Sequence, residues 1–156
     1  MTTLVAVVIM SPRWSAALPE AEEIAAAAVA AAAGELDDPG GAPAVVAFAD
    51  DDVVRTLNRE HLGVDAPTNV LAFPALESPE PLLGDIVLAF DTIEREARDA
   101  RIPLHDHVSH LIVHGFLHLQ GYDHQTDDEA DLMESLERRA LAQLGIRDPY
   151  GARADA

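Results

Sequence analysis

The sequence predicts an α/β (α+β) fold, with one small mixed β-sheet of about four strands packed with five or so helices. Three observations carry this expectation. Short β-branched or apolar runs of strand length alternate with longer stretches of helical period. The 156 residues are enough for one domain with a proper core, in which roughly two thirds of the unfolded surface can be buried. Hydrophobic residues make up 49% of the chain, too large a share for a disordered one.

Residues 3–10 are rich in β-branched side chains and read as a strand. Pro19 opens a helix whose first turn carries Glu20, Glu22 and Glu23, where the helix dipole favours negative charge. That helix runs through the alanines to Gly34, and its narrow alanine face suits close packing on a sheet. Residues 37–43 form a Pro/Gly turn region, and residues 44–49 a buried strand. Asp50, Asp51 and Asp52 supply an N-cap and first turn for a helix through His61. Residues 67–74 read as a turn followed by a short strand over 68–73, and two prolines make 78–81 a loop. Residues 82–90 are a further strand and 91–101 a polar helix. Pro103 then opens a helix that runs to about Gln120. Thr126 with Glu129 is a capping-box pattern for the last helix. Its apolar stripe is Leu132, Leu136, Ala140 and Leu144, and Gly145 stops it. We expect a single domain over residues 1–150 and a frayed tail over 151–156. There is no internal repeat.

The chain has no cysteine, which removes disulfides, thiolate nucleophiles and Cys-rich metal sites together. Any metal must be held by His, Asp or Glu. The apolar start, Leu4 to Met10, has no basic residue before it and is followed by Pro12 and Arg13, so it does not read as a secretory signal. The run from Ala25 to Ala33 is too short to span a bilayer. A soluble intracellular protein is expected. The formal net charge is −18, and all 10 basic residues are arginine. Such a field repels nucleic acid at long range, so any phosphate binding has to be local.

Six of the 7 histidines fall between residues 105 and 124. His107, His110, His114 and His118 advance by three, four and four, and therefore share one helix face. Gly121 follows His118 by three and can end the helix in a left-handed turn, returning His124 toward His114 and His118. Three imidazoles with no fourth protein ligand describe an open transition-metal site, expected in a cleft beside the histidine helix. Zn2+, one per chain, suits the set, as do nickel and other divalent transition metals. His110, one turn before His114, reads more readily as a packed core histidine than as a support for the ligands, and His105 and His107 as solvent-facing or near the helix start. Asp85 and Asp123 are candidates to orient an imidazole, though either can equally cap a turn.

The spacing resembles the metzincin peptidase motif H-E-x-x-H-x-x-G-x-x-H, with the glycine in register. The Glu that should follow the first His is Gly115 here. In zinc peptidases that Glu takes a proton from the metal-bound water, so peptide hydrolysis by that route is not expected. Metal binding by three His still lowers the pKa of water to ~7, against ~15.7 in bulk, which suits attack on phosphorus or a carbonyl.

The stretch His114-Gly115-Phe116-Leu117-His118-Leu119-Gln120-Gly121-Tyr122-Asp123-His124 closely resembles the signature of the YbeY family, the bacterial rRNA maturation endoribonucleases. Other blocks agree in order: Leu57-Asn58, Pro67 to Pro74, Leu83 to Ile86, Asp127-Asp128-Glu129 with Met133-Glu134, and Asp148-Pro149-Tyr150. The likeness spans about residues 45–150. It implies a small α/β domain with a zinc-like site held by His114, His118 and His124. It also implies single-strand-specific RNA cleavage in 16S rRNA 3′-end maturation and ribosome quality control. The implied setting is the cytoplasm, with rRNA and the small ribosomal subunit as partners and neither DNA nor membrane. At one position the chain departs from the family, whose Tyr-Arg pair after Leu-Asn falls on His61-Leu62. Arg59, nearly one helical turn earlier, is the candidate to supply the missing cation. Two other readings stand beside this one: a metallopeptidase-like hydrolase without its Glu base, and a non-catalytic ribosome assembly factor with a structural metal.

Overall fold

A computed structural model describes residues 5–75 and 82–150; the expected 78–81 loop and 151–156 tail lie outside them. The elements follow in the order β1 (Val5–Ile9), α1 (Pro12–Ala17), α2 (Ala21–Gly34), β2 (Ala44–Ala49), α3 (Asp51–Leu62), β3 (Val70–Pro74), β4 (Gly84–Ala89), α4 (Phe90–Ala100), α5 (Leu104–Leu119) and α6 (Asp127–Gln143). The strands form one mixed sheet in the order β1-β2-β4-β3. β1, β2 and β4 are parallel, and β3 runs antiparallel along β4. The α/β expectation therefore holds.

Alternation along β4 divides the core between the two faces of the sheet. Ile86 and Leu88 join Val46, Phe48 and buried residues of α2, α5 and α6 on one face. Val87 and Ala89 join Ala47, Leu71 and Val54 of α3 on the other. The alanine helix α2 packs against α5 and α6 as well as β1, so its small side chains serve helix–helix contact more than the sheet contact expected of them. α6 keeps its capping box, with both arms formed between Thr126 and Glu129. Its buried face, however, is Met133, Leu136, Glu137, Ala140 and Leu141. Leu132 is 52% exposed, so the expected stripe is rotated by one position and takes in an acid.

Sequence reading missed α1. Ser11 caps it by accepting from Arg13 N, and Pro12 starts it. Six residues show no usable period, so tertiary contact holds this helix: Trp14 is fully buried, its indole N–H donates to Ala49 O at 2.7 Å, and it meets Phe48 and Phe90 edge-on. Pro19 stands two residues before α2 rather than inside it.

Two glycines set how closely elements approach. At Gly84, φ is +155°, and a Cβ would stand 2.3 Å from Phe73 O and 3.0 Å from Pro74 Cα. Gly115 sits inside α5, where a Cβ would stand 2.9 Å from Ile86 Cγ2. At Gly84 the obstacles are backbone and cannot give way. At Gly115 the obstacle is one side chain, and alanine regains about 1 kcal/mol of helix propensity. We therefore expect Gly84→Ala to lose about 3 kcal/mol or more, and Gly115→Ala about 1 kcal/mol. Urea unfolding of both variants checks this order, and an equal or inverted ranking would refute the packing argument.

Candidate metal centre

α5 carries His110, His114 and His118 on the side that borders the cleft beside β3. The helix ends at Leu119, and Gly121 adopts φ +98°. The backbone N–H groups of Gly121 and Tyr122 return to His118 O and Leu117 O. This turn brings His124 back, with its ring centroid 5.7 Å from that of His114 and 5.2 Å from that of His118. One ligand atom from each of His114, His118 and His124 lies within 4.8 Å of the others.

Hydrogen bonds on the far side of two rings reveal what this cluster is built for. His114 Nδ1 is 2.7 Å from Glu137 Oε2. His118 Nδ1 is 3.0 Å from the Tyr122 carbonyl. An ionised carboxylate and a carbonyl only accept, so both Nδ1 atoms carry the proton. In the neutral rings both Nε2 atoms are then bare lone pairs, and they face each other at 3.1 Å. Two acceptors at that distance repel unless a cation lies between or beside them. Protonation of His118 is a poor answer, because burial, reinforced by His114 and His124, holds it below the ordinary imidazole range. The donor set thus fits a metal ion with three nitrogen ligands.

Glu137 is the residue that sequence reading missed. Among the described residues it is the one charged side chain in the core, with 0% exposure. Its Oε1 accepts from His110 Nε2 at 2.7 Å and from the Tyr150 hydroxyl. Burial alone pushes its carboxyl up, but the hydrogen bonds with His110, His114 and Tyr150 outweigh that and hold it at about 2. The available signal was position: Glu137 lies between Leu136 and Ala140 and one turn after Met133, on the buried side of α6. His110 is accordingly no packed core histidine but a polar partner of this acid. His107 lies in the first turn of α5, as one of its two expected placements had it; its Nε2 meets Glu96 Oε1 at 2.8 Å and its side chain is 13% exposed.

The other nominated residues lie elsewhere. Asp85 is exposed on the sheet face opposite α5, because alternation along β4 turns Ile86 toward that helix instead. Asp123 Oδ1 accepts from the His124 backbone N–H at 2.8 Å, which is the turn-capping role. Arg59 is half exposed, 3.9 Å from Asp65.

The imidazoles open into a cleft of about 610 Å3 between α5 and the edge strand β3. Its far wall is formed by Leu62, Thr68, Asn69 and β3 residues such as Val70 and Ala72. Leu62 lines the cleft and Arg59 does not; among the described residues no lysine or arginine does. Gly115 lines it too, but a side chain there would start toward Ile86, so a peptidase-type acid has no seat at this position.

If the cluster binds metal, the ion stabilises the fold by mass action. Zinc at about 100 times its Kd adds about 2.7 kcal/mol, or about 5–10 °C in Tm at this size. His118→Ala abolishes that shift. A Tm indifferent to zinc in the parent protein removes the metal reading.

The family model described as Endoribonuclease YbeY matches residues 13–145. A relative of that name from Nitrobacter winogradskyi is 54% identical over 127 residues, covering 76% of this chain and 67% of its own. Another from Paramagnetospirillum magneticum is 47% identical over 160 residues, covering 97% and 98%. A solution structure from Thermotoga maritima superimposes with a TM-score of 0.54 at 23% identity, covering 90% of this chain and 91% of that one, which speaks to the fold alone. With a family match over most of its length and near end-to-end likeness to a curated relative, the chain belongs to the YbeY endoribonuclease family.

Proposed function

We propose that this protein is a metal-dependent endoribonuclease that cuts single-stranded RNA. Its implied work is maturing the 3′ end of 16S rRNA and in ribosome quality control, on the small subunit in the cytoplasm. Family membership supports the cleavage of RNA. The observation that carries metal dependence is the pair of bare Nε2 atoms, on His114 and His118, facing each other at 3.1 Å. The ribosomal setting rests on the motif resemblance. No described helix is long and apolar enough to cross a membrane.

His114, His118 and His124 would hold the ion, with zinc or nickel as suitable occupants. When bound, it supplies Lewis-acid stabilisation of charge developing on the scissile phosphodiester. The chain's own residues do the rest. Glu137 and the Tyr122 carbonyl keep both Nε2 atoms facing the cleft. Leu62, Val70 and Leu111 give the cleft apolar wall on which an unstacked base can rest, a mode open to single strands. Among the described residues β3 is hydrogen-bonded to a strand on one side only, so its outer edge offers main-chain groups to a substrate.

Chelation should abolish RNA cleavage, zinc should restore it, and His114→Ala should be inactive in both conditions. End groups report the route: a 2′,3′-cyclic phosphate means that the ribose 2′-hydroxyl attacks, and a linear monophosphate from the first step means that water does. Undiminished cleavage by His114→Ala would make the histidine cluster structural and favour the assembly-factor reading.

Phosphate recognition is the second test. Leu62 is 61% exposed at the cleft wall and carries no charge. Leu62→Arg should tighten binding of single-stranded RNA and steepen its log–log salt dependence by about 0.7. Arg59 must leave Asp65 to reach a phosphate, so Arg59→Ala should flatten the slope by a similar step. A slope unmoved by Arg59→Ala removes that arginine from the site.

A further inference from the structure

We propose that Glu137 is the positioning residue of the metal centre, and that Tyr150, from the segment after α6, locks it in place. This rests on the reading that His114 holds a metal.

A fully buried carboxylate needs a reason. Among the described residues no arginine pairs with Glu137; its partners are two imidazoles and a phenol. Breaking up such a group is costly, yet a packed apolar side chain would serve the core at least as well. The arrangement makes sense as a device for aiming His114. Oε2 takes the His114 Nδ1 proton, while Oε1 takes His110 and Tyr150. Donors on both oxygens stop the carboxylate from turning. The His114 ring is therefore held in one tautomer and one orientation, with Nε2 toward His118 and the cleft. The negative charge also raises the basicity of His114 as a ligand. His118 has only a neutral carbonyl behind it, so the two rings are unequal.

Tyr150 is itself well held. Its ring meets His110 edge-on, with centroids 5.7 Å apart at 85°. The Arg138 guanidinium stands 5.2 Å over it, and Arg138 also pairs with Asp148. Tyr150 N donates to Asp148 Oδ1. The segment beyond α6 thus closes the network behind the ligand, as well as lining the cleft.

The test is zinc affinity of the full chain, read by competition with a chromogenic chelator, alongside the Tm of the metal-free protein and the visible spectrum of the cobalt form. Glu137→Gln keeps the shape and removes the charge. It should weaken zinc binding by about 10–100-fold and shift the cobalt bands. Tyr150→Phe should weaken it by roughly three- to tenfold, the weight of one hydrogen bond, and lower the metal-free Tm by only a few degrees. A purely structural Glu137 would move the metal-free Tm and leave affinity alone. If Glu137→Gln does not fold, Tyr150→Phe and His110→Ala carry the test. Zinc affinity within twofold of the parent in every folded variant overturns the proposal. A parent chain that binds no zinc overturns the metal reading instead, and the parent measurement separates the two failures.

Discussion

Between Gly115 and Ile86 a β-carbon would fit only if Ile86 shifted, since one built on the glycine would stand 2.9 Å from Ile86 Cγ2. That contact lets a buried helix lie directly on the sheet. Val108, Ile112, Val113, Phe116 and Leu117 of α5 are each no more than 1% exposed, so the helix has one rotational setting. Its histidine face must then look outward, over the edge strand β3. The cleft exists because α5 is fixed on one side and β3 ends the sheet on the other.

The helix face that escapes the core is not left to water. Glu137 of α6, with Tyr150 beyond it, meets that face at His110 and His114 and brings a carboxylate there. Desolvation raises the energy of that charge, and three hydrogen bonds offset it. The same burial works against protonation of His118. Hydrogen bonds thus keep Glu137 charged while burial keeps His118 neutral, the state in which an imidazole can ligate a cation.

The acidity of the chain and an RNA substrate pull in opposite directions, and the structure shows where they are reconciled. Several arginines are engaged with acids on the surface, among them Arg13 with Asp91 and Arg55 with Asp65. The described cleft wall carries no acidic residue and no arginine. A cation held by the histidines would then be the principal positive charge that a phosphate meets there.

Much of this was legible in one dimension. Histidines four apart are neighbours on any helix, and a glycine three residues on can reverse the chain, so the histidine cluster needed only local geometry. The capping box of α6 and the N-cap of α3 were equally local. What depended on distant contacts was not legible. α1 is held by Trp14 against β2 and α4, Glu137 reaches His114 across 23 residues, and Asp85 turns away from α5 through strand parity. The sequence by itself determined the fold class and the three imidazoles, because both follow from periodicity and spacing. Only the tertiary structure decided which nitrogen of His114 faces the cleft, because that proton's place is set by Glu137, an acceptor 23 residues away.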